Sequence, residues 1–273
     1  MSAAQRRTAP SHCTRRTYAA LTLSVAALFA LSAGVAQAEA PRLVSYGNFA
    51  GPPSPSGVAV DQSSSDVYVA GLVNLAPFGP SNIDKFNASG KLLSPPSPFG
   101  EGYYSGAVVN PTNGDVYVLQ AGLFAPTAIN TYDPSSGALL SSFSVPESAN
   151  LPGFLPFTVV QIAADSAGNV YVPNVPDNEV QEYSPSGTLL QTFTGSGTGA
   201  LSGPTGVAVD SSGNVWTADA HNNRIEELSP TGAFIGEIKS EGVGAVALDA
   251  HGDVFAIVKN SADFCAAQRN GSP

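Results

Sequence analysis

Residues 206–232 read GVAVDSSGNVWTADAHNNRIEELSPTG. The stretch opens on an apolar run, Gly206–Val209, that stops at Asp210. Ser211-Ser212-Gly213 follow, then Asn214, Val215 and an aromatic, Trp216. Small polar residues and Gly between two apolar runs mark a tight hairpin. Ile225–Leu228 then sets two polar residues between apolar Ile225 and Leu228 and reads as a third, half-buried strand. Ser229-Pro230-Thr231-Gly232 is a second turn, and Ala233–Ile238 reads as a further strand. One segment thus encodes four short antiparallel strands in meander order.

The same pattern recurs along the chain. First-strand segments ending in Asp or Asn are GVAVD at 57–61, GAVVN at 106–110, QIAAD at 161–165, GVAVD at 206–210 and AVALD at 245–249. Four or five residues after each stand DVYV at 66–69, DVYV at 115–118, NVYV at 169–172, NVWT at 214–217 and DVFA at 253–256. Third strands follow in four copies: IDKF at 83–86, INTY at 129–132, VQEY at 180–183 and IEEL at 225–228. Gly-containing turns then lead to fourth strands at 91–93, 138–143, 188–193 and 233–238. From Asp61 to Asn110, Asp165, Asp210 and Asp249 the steps are 49, 55, 45 and 39 residues. Steps near 40–45 residues suit four-stranded propeller blades. A lone four-stranded unit leaves both faces uncovered, and radial stacking of copies covers them. The first strands are the most apolar, so they are expected to be the most buried. The expected fold is all-β: a β-propeller of about five four-stranded antiparallel blades, with repeats at about 54–96, 103–146, 158–195, 203–240 and a partial one at 241–273. Residues 42–49, which alternate, are expected to complete the fifth unit together with a third strand from 264–268.

On Val207, Asp210, Gly213, Asn214, Asp219, Asn223, Arg224 and Ile225, the fourth unit resembles the NHL repeat. Unit three keeps Asn178 and Val180 but has Glu179 at the Arg position, and units one and two lack the Asn-Arg pair. The resemblance implies a propeller, more often of six blades. Some related propellers are hydrolases or lyases, but none of their catalytic residues can be matched here.

Outside the repeats, the first 38 residues read as a secretory leader. Arg6, Arg7, Arg15 and Arg16 precede an apolar run from Tyr18 to Val35, which ends in Ala36-Gln37-Ala38. The propeller then occupies 39–273, and a secreted, periplasmic or cell-surface location is expected. Net charge over the whole sequence is −10, with 11 basic and 21 acidic residues. Loss of the leader's four arginines would take it to about −14, which opposes nucleic acid and anionic membrane. Cys13 leaves with the leader and Cys265 remains alone, so no intrachain disulfide is expected. Charged residues are only 12% of the chain, while 28 Gly and 22 Pro favour turns over helices.

Candidate chemistry is sparse. Gly195–Ala200 has the spacing of a dinucleotide loop but no helix pattern after it, so it reads as a link between blades. Asp61, Asp165, Asp210 and Asp249 form a tempting carboxylate series, but their place before Ser/Gly turns explains them as turn caps. No cofactor or metal is expected. The polar cluster Asp219, His221, Asn223 and Arg224 lies between the second and third strands of unit four. It offers a ligand site or a base; alternatively Asp219 and Arg224 pair within the blade and His221 is solvated. Loops at 70–82, 94–106, 119–128 and 144–157 carry Leu72, Leu75, Phe78, Phe99, Tyr103, Tyr104, Phe124, Phe154 and Phe157. These are expected to gather on one face, as a binding patch or as a lid packed on itself. The functional expectation is a non-catalytic scaffold for a protein, peptide or glycan. The alternatives are a metal-assisted hydrolase or lyase with a site near the axis, and a fragment of a larger repeat protein.

Overall fold

The computed structural model describes residues 54–72, 81–93, 104–120, 127–145, 160–195, 199–249 and 251–258. Among these residues, seventeen strands build five antiparallel sheets in chain order. Blade 1 holds β1 (Ser54–Val60), β2 (Val67–Leu72) and β3 (Ser81–Phe86). Blade 2 holds β4 (Tyr104–Val109), β5 (Val116–Gln120), β6 (Ala128–Tyr132) and β7 (Leu139–Ser144). Blade 3 holds β8 (Ala163–Ala164), β9 (Val170–Asn174), β10 (Glu179–Tyr183) and β11 (Leu189–Phe193). Blade 4 holds β12 (Pro204–Val209), β13 (Val215–Asp219), β14 (Arg224–Leu228) and β15 (Phe234–Lys239). Blade 5 holds β16 (Val243–Leu248) and β17 (Val254–Val258). Each sheet is a meander, and first strands of successive blades lie side by side, β1 on β4, β4 on β8, β8 on β12 and β12 on β16. This is a β-propeller, as the repeat predicts. Residues 1–38, expected to be a leader, and the segments 42–49 and 264–268, expected to complete the fifth unit, lie outside the described residues.

The hub is stitched together by polar side chains as well as packing. Ser56 donates to the Tyr104 carbonyl at 2.6 Å, and Thr205 donates to the Gly244 carbonyl at 2.9 Å. Gln161 reaches from blade 3 to blade 5, its side-chain oxygen accepting the Val246 N–H at 3.1 Å. Such convergence needs a position without a side chain early in these first strands. A Cβ on Gly106 would sit 2.4 Å from the Val160 carbonyl oxygen, and one on Gly206 would sit 2.9 Å from the Ala245 Cα.

The core is a series of interfaces between blades. Tyr68, Ala70 and Ile83 of blade 1 pack with Ala107, Val116, Val118 and Tyr132 of blade 2. Equivalent clusters join blades 2 and 3, blades 3 and 4, and blades 4 and 5. Each blade therefore depends on its neighbour to remove its apolar face from water. Both ends of the series show the consequence. Val58 is 41% exposed, whereas its repeat counterpart Val246 is 1% exposed beneath blade 4. Ile257 is 54% exposed, whereas its counterpart Ala218 is fully buried beneath blade 5.

Three expectations are corrected. The first strands are not the most buried: β9, β13 and β14 are buried along their whole length, while β1 and β16 are partly open. β9, β13 and β14 are sandwiched between neighbouring sheets, which covers both of their faces. The fourth strand expected at 91–93 reduces to one bridge, Phe86 to Leu92. The first strand expected at 161–165 shortens to Ala163–Ala164, because Gln161 is diverted into a parallel bridge with Gly206.

Candidate functional site

Blade 4 builds a polar site where β13 passes into β14. Asp219 ends β13, a single 3₁₀ turn (Ala220–Asn222) follows, and Asn223 turns the chain into β14 with φ 54°. Left-handed φ is costly for residues with a Cβ, and Asn tolerates it better than most. The short turn places Asp219 opposite Arg224 in the sheet register.

Arg224 is the centre of the site. Its Nε donates to Asp219 Oδ2 at 2.7 Å, one terminal nitrogen lies 2.6 Å from Glu226 Oε2, and the other donates to Glu237 Oε2 at 3.2 Å. The guanidinium also donates to the Gly199 carbonyl at 2.8 Å. Arg224, Asp219 and Glu226 are all buried. Burial alone would lower the guanidinium's pKa, but the Asp219, Glu226 and Glu237 carboxylates outweigh it and hold the pKa above its ordinary value. Asp219 is further held by the Ser202 N–H at 2.7 Å and the Asn222 amide at 2.8 Å. The result is a fixed cation carrying three carboxylates under the surface.

Above this floor lies a cleft of about 650 Å³ lined by Gly199, Ala200, Asn222, Asn223, Arg224, Glu237, Lys239, Ser240 and Glu241. Its mouth mixes a cation, carboxylates and amides. Asn223 also holds the scaffold together. Its side-chain oxygen accepts the Gly242 N–H at 3.0 Å, tying blade 4 to blade 5. Asn178 does the same one blade earlier, at φ 58°, accepting the Gly203 N–H at 2.8 Å. The Asn of the repeat is thus a clasp between blades.

His221 is exposed, and its imidazole lies against Gly203, where an added Cβ would meet Nδ1 at 2.6 Å. Asp219 and Arg224 pair within the blade, and His221 stays outside their ion cluster. The repeated acids cap their own turns: Asp210 Oδ1 accepts the Ser212 and Asn214 N–H groups at 2.8 and 2.9 Å, and Asp165 and Asp249 do likewise.

The apolar loop patch fares differently. Leu75, Phe78, Phe99, Tyr103, Phe124, Phe154 and Phe157 lie outside the described residues. Leu72 ends β2, opposite Ser54 and Ser81. Tyr104 is corrected: it opens β4, is buried between blades 1 and 2, and its hydroxyl lies 3.2 Å from that of Tyr132. The register of β4 against β5 carries it into the interface rather than onto the loop face. Glu226, Glu237 and Lys239 were missed by sequence reasoning. Glu226 lies two residues along β14 from Arg224, and the cross-strand register with β15 brings Glu237 to the same group.

Residues 201–227 match the NHL repeat, and this segment carries Asp219, His221, Asn223 and Arg224. No curated protein matches the chain. Among solved structures, a streptogramin B lyase is similar with a TM-score of 0.51 and 14% identity, over 75% of this chain and 62% of that one. A protein of unknown function from Bacteroides caccae has a TM-score of 0.51 and 19% identity, over 74% and 69% of the two chains. A virginiamycin B lyase from Staphylococcus aureus has a TM-score of 0.48 and 16% identity, over 74% and 77%. The chain spans less than two thirds of the length of the streptogramin B lyase, and the likeness is one of fold.

Proposed function

Starting from a β-propeller that carries an NHL repeat, we propose that the chain is a non-catalytic binding scaffold. The partner bound at blade 4 is a peptide segment of another protein. The carrying observation is the cleft of about 650 Å³ over the Arg224 ion cluster. Lys239, Glu237 and Glu241 offer both charge signs within one cleft, and Asn222 and Asn223 add amides. A peptide presents backbone N–H and C=O groups together with side chains of either sign, which matches that lining. The buried Arg224 network keeps the floor rigid, so binding orders few groups.

The test is selection of displayed peptides on the purified protein. Selected peptides are expected to lose at least tenfold in affinity against Lys239→Glu and to bind His221→Ala as they bind the parent. Peptides that ignore Lys239→Glu would overturn the reading.

A second reading is an enzyme, a hydrolase or lyase working near the axis. It is favoured by His221, which lies against Gly203 at the entry to the inner strand β12. The streptogramin B lyase shares the fold, which is the extent of that support. Turnover of lactone or ester substrates, lost in His221→Ala, would establish this reading over the first.

A further inference from the structure

One place recurs in blades 1 to 4, where the second and third strands pair. The register sets Tyr68 against Lys85, Tyr117 against Thr131, Tyr171 against Glu182 and Trp216 against Glu227. Three of these blades fill the place with a long charged side chain; blade 2 has a threonine. In blade 1 the Lys85 ammonium lies 3.0 Å from Asp66 Oδ2 and donates to the Pro134 carbonyl of blade 2 at 3.1 Å. It also lies 5.3 Å from the centre of the Tyr68 ring. A carboxylate, an aromatic face and a proline carbonyl from the next blade together hold this cation.

Blade 2 repeats that receptor without its lysine. Asp115 stands where Asp66 does, Tyr117 where Tyr68 does, and Pro185 of blade 3 where Pro134 does in the turn of the next blade. All three line a cleft of about 260 Å³, together with Thr131 and Leu140. That is several times the roughly 30 Å³ share of one liquid water. Among the described residues no cation pairs with Asp115. The Thr131 hydroxyl is buried and makes no hydrogen bond.

We infer that this cleft receives a primary alkylammonium from outside the chain, supplied by the lysine side chain of a partner polypeptide. Asp115 takes the charge, the Tyr117 ring faces the cation, and exposed Leu140 offers apolar surface to the alkyl stem. The chain's net charge of −10 draws a basic partner toward it. The site lies at the turn end of the strands, opposite the β13–β14 end that carries the blade 4 cleft, and stands independently of the reading made there.

The experiment is an amide-resolved NMR titration of the folded protein with N-acetyl-lysine methylamide, its Nε-acetylated form and butylamine. The lysine compound is expected to shift the Asp115 and Thr131 amides saturably. Nε-acetylation, which removes the charge, is expected to weaken binding at least tenfold, as is Asp115→Asn. Thr131→Lys gives blade 2 the internal cation that blade 1 has; it is expected to keep the fold and abolish the response. Equal binding of the acetylated form, or a response that survives Thr131→Lys, would overturn the site. Binding of butylamine with no response to the lysine compound would overturn the polypeptide assignment. None of these variants touches the blade 4 cleft, so failure here is separable from failure there.

Discussion

Arg224 Nε donates to Asp219 Oδ2 at 2.7 Å, and this bond locks the last residue of β13 to the first residue of β14. The two side chains are 5% and 0% exposed. Removing one partner of a buried pair strands the other's charge, at a cost of about 3–5 kcal/mol. Arg224→Ala strands Glu226 as well, so a loss in that range is expected. Denaturant unfolding followed by Trp216, the only tryptophan, reads it directly at the interface of blades 4 and 5. An unchanged midpoint would show that the ion cluster does not hold the site.

Asn223 separates two contributions that are usually confounded. Its φ of 54° disfavours other residues with a Cβ, and its side chain clasps the Gly242 N–H. Asn223→Gly keeps the conformation and loses the clasp; Asn223→Ala loses both. The expected costs are about 1 kcal/mol and about 2 kcal/mol. Reversal of that order in equilibrium unfolding would place the effect elsewhere.

Gly106 is required by close approach at the hub. Its missing Cβ would lie 2.4 Å from the Val160 carbonyl oxygen, a backbone atom that cannot rotate away. Gly106→Ala is expected to destabilise the fold by about 1–3 kcal/mol through overpacking. The matching control is Gly252→Ala: an added Cβ there meets nothing within 4 Å, so its cost comes from its φ of 82° alone. Thermal melts of both variants distinguish crowding from backbone strain.

Alkaline pH tests the tyrosines between blades. Burial, with the Glu179 charge behind it, pushes the Tyr183 hydroxyl up to about 12, and burial also raises Tyr68 and Tyr117. A folded-state pKa above the unfolded value of about 10 means the unfolded chain gives up its proton first. The stabilisation is therefore complete below about pH 10 and falls away as pH rises toward 12. Tyr183→Phe is expected to flatten that decline. Phenolate absorbance and unfolding midpoints measured from pH 8 to 12 check the sign.

Turn positions, blade order and most strand positions were legible from local chemistry alone; the strands expected at 91–93 and 161–165 were not. The apolar pair Ile225 and Leu228 and the Ser/Gly turn after Asp210 lie within a few residues, so they can be read without knowing what lies alongside. The same holds for Asp165, Asp210 and Asp249, whose caps are made within their own turns. What depended on the neighbouring blade was hidden. Tyr104 looked like a loop aromatic until the β4–β5 register turned it into an interface. The Asp219–Arg224 pair was legible as an alternative, but only cross-strand pairing with β15 adds Glu237 to the Glu226 that Arg224's own strand supplies. Thr131 is ordinary as one residue of a strand; its shortness becomes a cleft only because Asp115, Tyr117 and Pro185 surround the place a lysine fills in blade 1. Hydrogen-bonded turns are set by neighbours in the chain, whereas clefts and ion clusters are set by neighbours in space, and only the packed blades supply those.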